Sequence, residues 1–95
     1  AKHAVLGLTK VAALEYSAQG IRVNAVCPAF IATPMLERAG ITTDETVRKT
    51  MEAMHPIGRL GEPEEIARVV TWLCSPDASF IAGEGLLVDG GYATR

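Results

Sequence analysis

The chain of 95 residues has few aromatic side chains, two Phe, two Tyr and one Trp, although 48% of it is hydrophobic. That composition is globular, and the length suffices for one small domain and not for two. An excess of either charge is also missing: nine basic against eleven acidic residues leave a net −2, and neither sign clusters. A nucleic-acid binder carries a basic stripe, so no nucleic-acid partner is expected. No apolar run approaches the ~18 residues of a membrane span, so no membrane is expected. No secretory leader pattern is present, which points to a cytoplasmic protein. Cysteine is limited to Cys27 and Cys74, far apart inside apolar runs. Two buried thiols in a reducing compartment account for them better than a disulfide or a metal pair. His3 and His55 lack partners at metal-ligand spacing; solvent-facing or locally bonded rings are expected, and no metal.

What is there reads as alternating helix and strand. A helical pattern is already running at Ala1, without an initiator Met or an N-cap, as in a chain cut inside a helix. It continues to about residue 18, with Gly20 at a C-cap position. Ala4, Val5, Leu8, Val11, Ala12, Leu14 and Tyr16 spread over more than half its circumference, enough for a second contact with another helix. Lys2, Thr9 and Lys10 fall on the remaining side. Ile21–Cys27 reads as a strand buried on both faces, as in a parallel sheet. Asn24 within it is read as structural, bonding a neighbouring loop. Pro28 stops the strand, yet "AFIATPM" stays apolar where a loop is expected to turn polar. Thr33 is placed to cap a short helix starting at Pro34, and Thr43 to cap one with Thr46–Met54 in its body. Pro63 opens a further helix through Cys74, and "LLVDGG" closes with a second strand and a turn at Asp89, Gly90 and Gly91. The order is α/β with two parallel strands at most, too few for a stable open sheet.

With these elements in order, the chain resembles the C-terminal portion of the short-chain dehydrogenase/reductase family. "AKHAVLGLTKVAALEY" resembles the second half of the helix carrying the family's Tyr-x-x-x-Lys motif, with Lys2 as its lysine. "GIRVNAVCPAFIATPM" resembles the strand and loop that close over the nicotinamide, and "GRLGEPEEIARVVTWLCSPDASFIAGEGLLVDGG" the late helix, connector and final strand. The resemblance covers essentially the whole chain. It implies residues 1–95 as part of one Rossmann-like doubly wound parallel sheet, incomplete in this chain, with a substrate-loop segment at about 34–58.

The resemblance also implies a function. The complete enzyme would interconvert an alcohol and a ketone by hydride transfer with NAD or NADP, most like members acting on 3-oxoacyl groups or on sugar and cyclic alcohols. Lys2 would be catalytic, lowering the pKa of a tyrosine four residues upstream, and would bond the nicotinamide ribose. Pro28, Ala29, Ile31 and Thr33 would seat the cofactor: Pro28 by ending the strand, Ile31 through backbone groups on the carboxamide, Thr33 by a hydrogen bond to the carboxamide or a nearby phosphate. Ala29 departs from the family's usual glycine, which sets how closely the backbone approaches the ring. Phe30, Met35 and Leu36 would line the substrate pocket; for the two on the short helix an ordinary core role is equally open. The partners implied are a small-molecule alcohol or ketone, the remainder of the same enzyme chain, and further copies in a homodimer or homotetramer. A Gly-x-Gly-x-x-Gly phosphate turn is absent. The alternative is a non-catalytic structural or subunit-interaction fragment, inactive on its own.

Overall fold

In the computed structural model, which describes residues 1–40 and 43–94, helix α1 runs Lys2–Tyr16 and tightens into a single 3₁₀ turn, Ser17–Gln19. Gly20, at φ +83°, ends it in the left-handed conformation that glycine adopts without steric cost. Strand β1 is Ala25–Pro28, α2 Pro34–Arg38, α3 Glu45–Ala53, α4 Pro63–Leu73 and β2 Gly85–Val88. β1 and β2 form a two-stranded parallel sheet. Two further 3₁₀ turns follow α4 and β2, at Pro76–Ala78 and Tyr92–Thr94. The chain divides into two compact units, Ala1–Cys27 with Arg68–Leu86, and Pro28–Ala67 with Leu87–Arg95. None of the helices among the described residues is long and apolar enough to cross a membrane.

In the first unit α1 buries Thr9 and Ala13, with Leu6 half-buried, while Leu8 is 70% and Leu14 87% exposed. This overturns the placing of Thr9 on the polar side. The Thr9 hydroxyl donates to the Val5 carbonyl at 2.7 Å, so its burial leaves no polar group unpaired. That face lies against glycine backbone, with Ala13 over Gly83 and Leu6 over Gly85. A Cβ on Gly83 would sit 3.3 Å from the Ala13 methyl, and one on Gly85 would overlap the Leu6 side chain. The strand is also shorter than expected, four residues where seven were read. Ahead of it, Arg22 donates to the Leu73, Ile81 and Ser75 carbonyls at 2.7, 3.2 and 3.4 Å. Asn24 does hold the neighbouring loop, donating to Ile81 O at 3.1 Å and accepting from Glu84 N at 3.0 Å. These side chains serve the 73–84 connector, which also pairs through the backbone by Gly83 N to Val23 O and Ala25 N to Glu84 O, each 2.8 Å. Cys27 is buried as expected, but Cys74, one residue past the end of α4, is exposed; both thiols are free.

The second unit is organised by caps and turns. The Thr33 hydroxyl caps α2 by accepting from Leu36 N at 3.4 Å, with Pro34 at the first helical position. α3 is capped by Asp44 and not by Thr43: its carboxylate accepts from Thr46 N at 3.0 Å and Val47 N at 3.2 Å. Aspartate one residue later reaches two of the four open amides and favours the helix dipole, which a threonine hydroxyl does less well. Residues 41 and 42 of the 34–58 segment lie outside the described residues. At the start of α4, Glu65 reaches back to the Glu62 amide at 3.0 Å and pairs with Arg59 in a two-pronged contact of 2.7 and 3.0 Å. The hydrogen bond and the charge of Glu65 raise the Arg59 pKa further above its usual value.

The C-terminal turn depends on glycine. Asp89 accepts from Gly91 N and Ala93 N, each at 3.0 Å, and Gly91 adopts φ +87° against the Pro56 ring. A Cβ there would lie 2.9 to 3.3 Å from three Pro56 atoms. Gly91→Ala is therefore expected to cost about 2–3 kcal/mol, combining left-handed strain with overpacking, as read by chemical unfolding. A loss below ~1 kcal/mol would mean that the Pro56 turn moves aside at little cost.

Candidate functional site

The loop leaving β1 is held by a single parallel bridge to Gly61. The Gly61 amide donates to Phe30 O at 3.1 Å, and its carbonyl accepts from Ala32 N at 2.8 Å. In such a bridge the residue between the two bonded neighbours aims its own amide and carbonyl to the opposite side. That residue is Ile31. Neither its N–H nor its C=O takes a hydrogen-bond partner among the described residues. A donor and an acceptor are thus presented side by side on a half-buried backbone.

The other end of the loop rests on aromatic rings. Phe30, His55 and Tyr92 form a triangle with centroids 5.8, 5.8 and 5.4 Å apart, the two Phe30 contacts near edge-to-face. His55 is 3% exposed. Its Nδ1 meets Met51 O at 2.8 Å, and its Nε2 accepts from the Phe30 amide at 3.4 Å. Pro56 and Ile57 sit at the centre of a turn closed by Gly58 N to His55 O at 2.8 Å, and Ile57 N donates to Gly90 O at 3.1 Å. A recess lined by Ala29, Ile31, Ile57, Ile66 and Val88 lies beside this cluster.

The second unit brings together Ala29, Phe30, Ile31 and Thr33, all half-buried, with Leu36 half-buried and Met35 exposed on α2. Pro28 is the exposed last residue of β1. Ala29 carries its extra methyl without backbone strain, since no non-glycine residue among those described has positive φ. Thr33 both caps α2 and keeps its hydroxyl proton free to donate, because the oxygen is the acceptor in the cap. Lys2 lies in the other unit, at the exposed start of α1, and takes no ion-pair partner among the described residues. Reading the sequence missed His55 and Tyr92 as supports of the loop, and Gly61 as its bridge. A signal for His55 existed: a histidine just past a helix end, before proline, is well placed to satisfy one of the last open carbonyls.

The family model described as enoyl-(acyl carrier protein) reductase matches residues 1–93. Cyclohexanol dehydrogenase of Acinetobacter sp. is 50% identical over 95 residues, which are 100% of this chain and 35% of that one. The 2,5-dichloro-2,5-cyclohexadiene-1,4-diol dehydrogenase of Sphingobium indicum is 50% identical over 92 residues, 97% of this chain and 36% of the relative. Among solved structures, aldohexose dehydrogenase of Thermoplasma acidophilum superposes with a TM-score of 0.89 at 44% identity, covering 99% of this chain and 39% of that one. A 2-deoxy-D-gluconate 3-dehydrogenase homologue of Agrobacterium tumefaciens, solved with bound NADP, gives 0.90 at 40% identity, covering 99% and 37%. The chain thus spans about a third of the length of the curated relatives it matches. Its α/β architecture corresponds to part of a Rossmann-like doubly wound sheet. On the motifs, the fold and a family model that takes in nearly every residue, the chain belongs to the short-chain dehydrogenase/reductase family.

Proposed function

We propose that the complete protein is a cytoplasmic NAD- or NADP-dependent oxidoreductase that interconverts a cyclic secondary alcohol and its ketone. The observation that carries this reading is the unpartnered Ile31 amide and carbonyl, a donor–acceptor pair matching a primary carboxamide such as that of nicotinamide. The nicotinamide, when bound, supplies the hydride acceptor or donor. Ile31 holds the carboxamide through its backbone, Thr33 donates its free hydroxyl proton to the carboxamide or a phosphate oxygen, and Pro28 and Ala29 shape the approach. Lys2 stabilises the phenolate of the tyrosine expected upstream and bonds the ribose. Phe30, Met35 and Leu36, with the 34–58 segment, give an apolar wall suited to a carbocyclic ring. Support for a ring substrate comes from the cyclohexanol and cyclohexadienediol dehydrogenases at 50% identity. The exposed outer face of α1, with Leu8 and Leu14, is covered by the rest of the enzyme or a second subunit in a homodimer or homotetramer. By itself the 95-residue chain is inactive.

The test is to incubate the complete protein with NAD⁺ or NADP⁺ and a panel of cyclohexanols, sugars and linear alcohols. Reduced nicotinamide appearing fastest with cyclohexanols is expected. A folded protein that reduces neither nucleotide with any of them would sink the reading. Thr33→Val removes both the cap and the free donor. It is expected to cost ~1 kcal/mol of stability and to weaken nucleotide binding several-fold, read by unfolding and by calorimetric titration. Binding left unchanged would make Thr33 a helix cap alone.

A further inference from the structure

We propose that His55 is a positioning residue for the cofactor loop, an imidazole that fixes where the Ile31 amide and carbonyl point; the assignment rests on the reading of the loop as a nicotinamide seat. A carbonyl only accepts, so the 2.8 Å contact with Met51 O requires the proton on Nδ1. The Nε2 lone pair is then committed to the Phe30 amide, its partner at 3.4 Å. One ring thereby ties the end of α3 to the residue immediately before Ile31. At 3% exposure the ring itself is withdrawn from solvent. The ring is itself clamped, by Phe30 and Tyr92 at centroid distances of 5.8 and 5.4 Å, and by the turn at Pro56. On the other side of Ile31 the Gly61 bridge holds Phe30 O and Ala32 N. The two supports act on consecutive peptide units, the imidazole on Ala29–Phe30 and the bridge on Phe30–Ile31 and Ile31–Ala32. The bridge fixes the strand direction; the imidazole takes the one Phe30 group that the bridge leaves open. Without that acceptor the Phe30 amide loses its protein partner, and the loop gains by turning it toward water, which rotates the peptide next to Ile31.

Three substitutions in the complete protein separate positioning from packing. His55→Gln carries a side-chain oxygen near the reach of Nε2 and keeps an acceptor for the Phe30 amide. His55→Asn keeps a donor near Nδ1 for Met51 O but stops short of the loop. His55→Leu keeps apolar volume with neither bond. Dissociation constants for NAD⁺ and NADP⁺ are measured by titration without substrate, beside the thermal midpoint of each variant. The expected result is roughly tenfold weaker binding for Asn and Leu and a constant within about threefold of the parent for Gln, whatever the order of the thermal midpoints. Gln and Asn binding alike, or affinity falling in step with the thermal midpoint, would overturn the positioning role and leave the cofactor reading intact. A folded parent that binds neither nucleotide would overturn both.

Discussion

Replacing Lys2 by Met in the complete enzyme is expected to lower turnover at neutral pH by about 100- to 1,000-fold. Free tyrosine ionises near 10, too high for acid–base work near neutrality. An ammonium at ~4–5 Å in an effective dielectric of about 20 stabilises the phenolate by roughly 3–4 kcal/mol, or two to three pKa units. A spacing of four residues places the two side chains one helical turn apart, the geometry the interaction needs. Lys2 is at the exposed start of α1 and engages no carboxylate among the described residues, so its charge is not neutralised internally. The pH profile decides the cause. Losing the ammonium raises the tyrosine pKa, so the variant should regain activity as the pH climbs toward ~10. A loss below tenfold, or one that is constant across pH, would remove Lys2 from the proton chemistry and leave it at most a ribose ligand.

Arg22→Met is expected to destabilise the protein by about 3 kcal/mol, measured by urea unfolding of the complete chain. The guanidinium donates to three carbonyls, Leu73, Ser75 and Ile81, over 50 residues away in sequence. Leu73 is the last residue of α4, where carbonyls have no helical donor and the dipole favours a cation. Methionine keeps the apolar stem and removes all three bonds, leaving the carbonyls short of partners. Arg22→Lys should recover less than half of the loss, because one ammonium lacks the fork needed to reach several acceptors. Full recovery by lysine would show that charge near the helix end matters and the individual bonds do not.

These two residues mark how far the sequence could be read. Pro34 and Pro63 lie at the first positions of their helices because proline's missing donor costs nothing there, and that rule depends on neighbours in sequence alone. The Gly20 stop and the Asp89 turn were legible for the same local reason. What failed depended on contacts between distant segments. Hydrophobicity ranks Leu8 and Leu14 above Thr9 and Ala13 as contact residues, yet closeness to the backbone at Gly83 rewards the small Ala13. Asn24 was readable as a tie to a neighbouring loop, but the three carbonyls that Arg22 reaches in the connector were not. At the candidate site, the Thr33 cap was readable from Thr-Pro, whereas the free Ile31 groups follow only from the bridge to Gly61.

The chain order of the two units has a consequence for synthesis on the ribosome. The backbone passes between them at Cys27–Pro28, Ala67–Arg68 and Leu86–Leu87, so neither unit is a contiguous stretch. The first cannot close before β2 has emerged, and the second also needs the Asp89 turn that follows it. Helices α1, α3 and α4 therefore wait, partly assembled, for β2 and the turn after it, a slow route because long loops must close late. During that interval the apolar side chains of α1 and β1 are open to chaperones and to aggregation. A premature stop ahead of Gly85 would withdraw a strand that both units share, so neither unit could close.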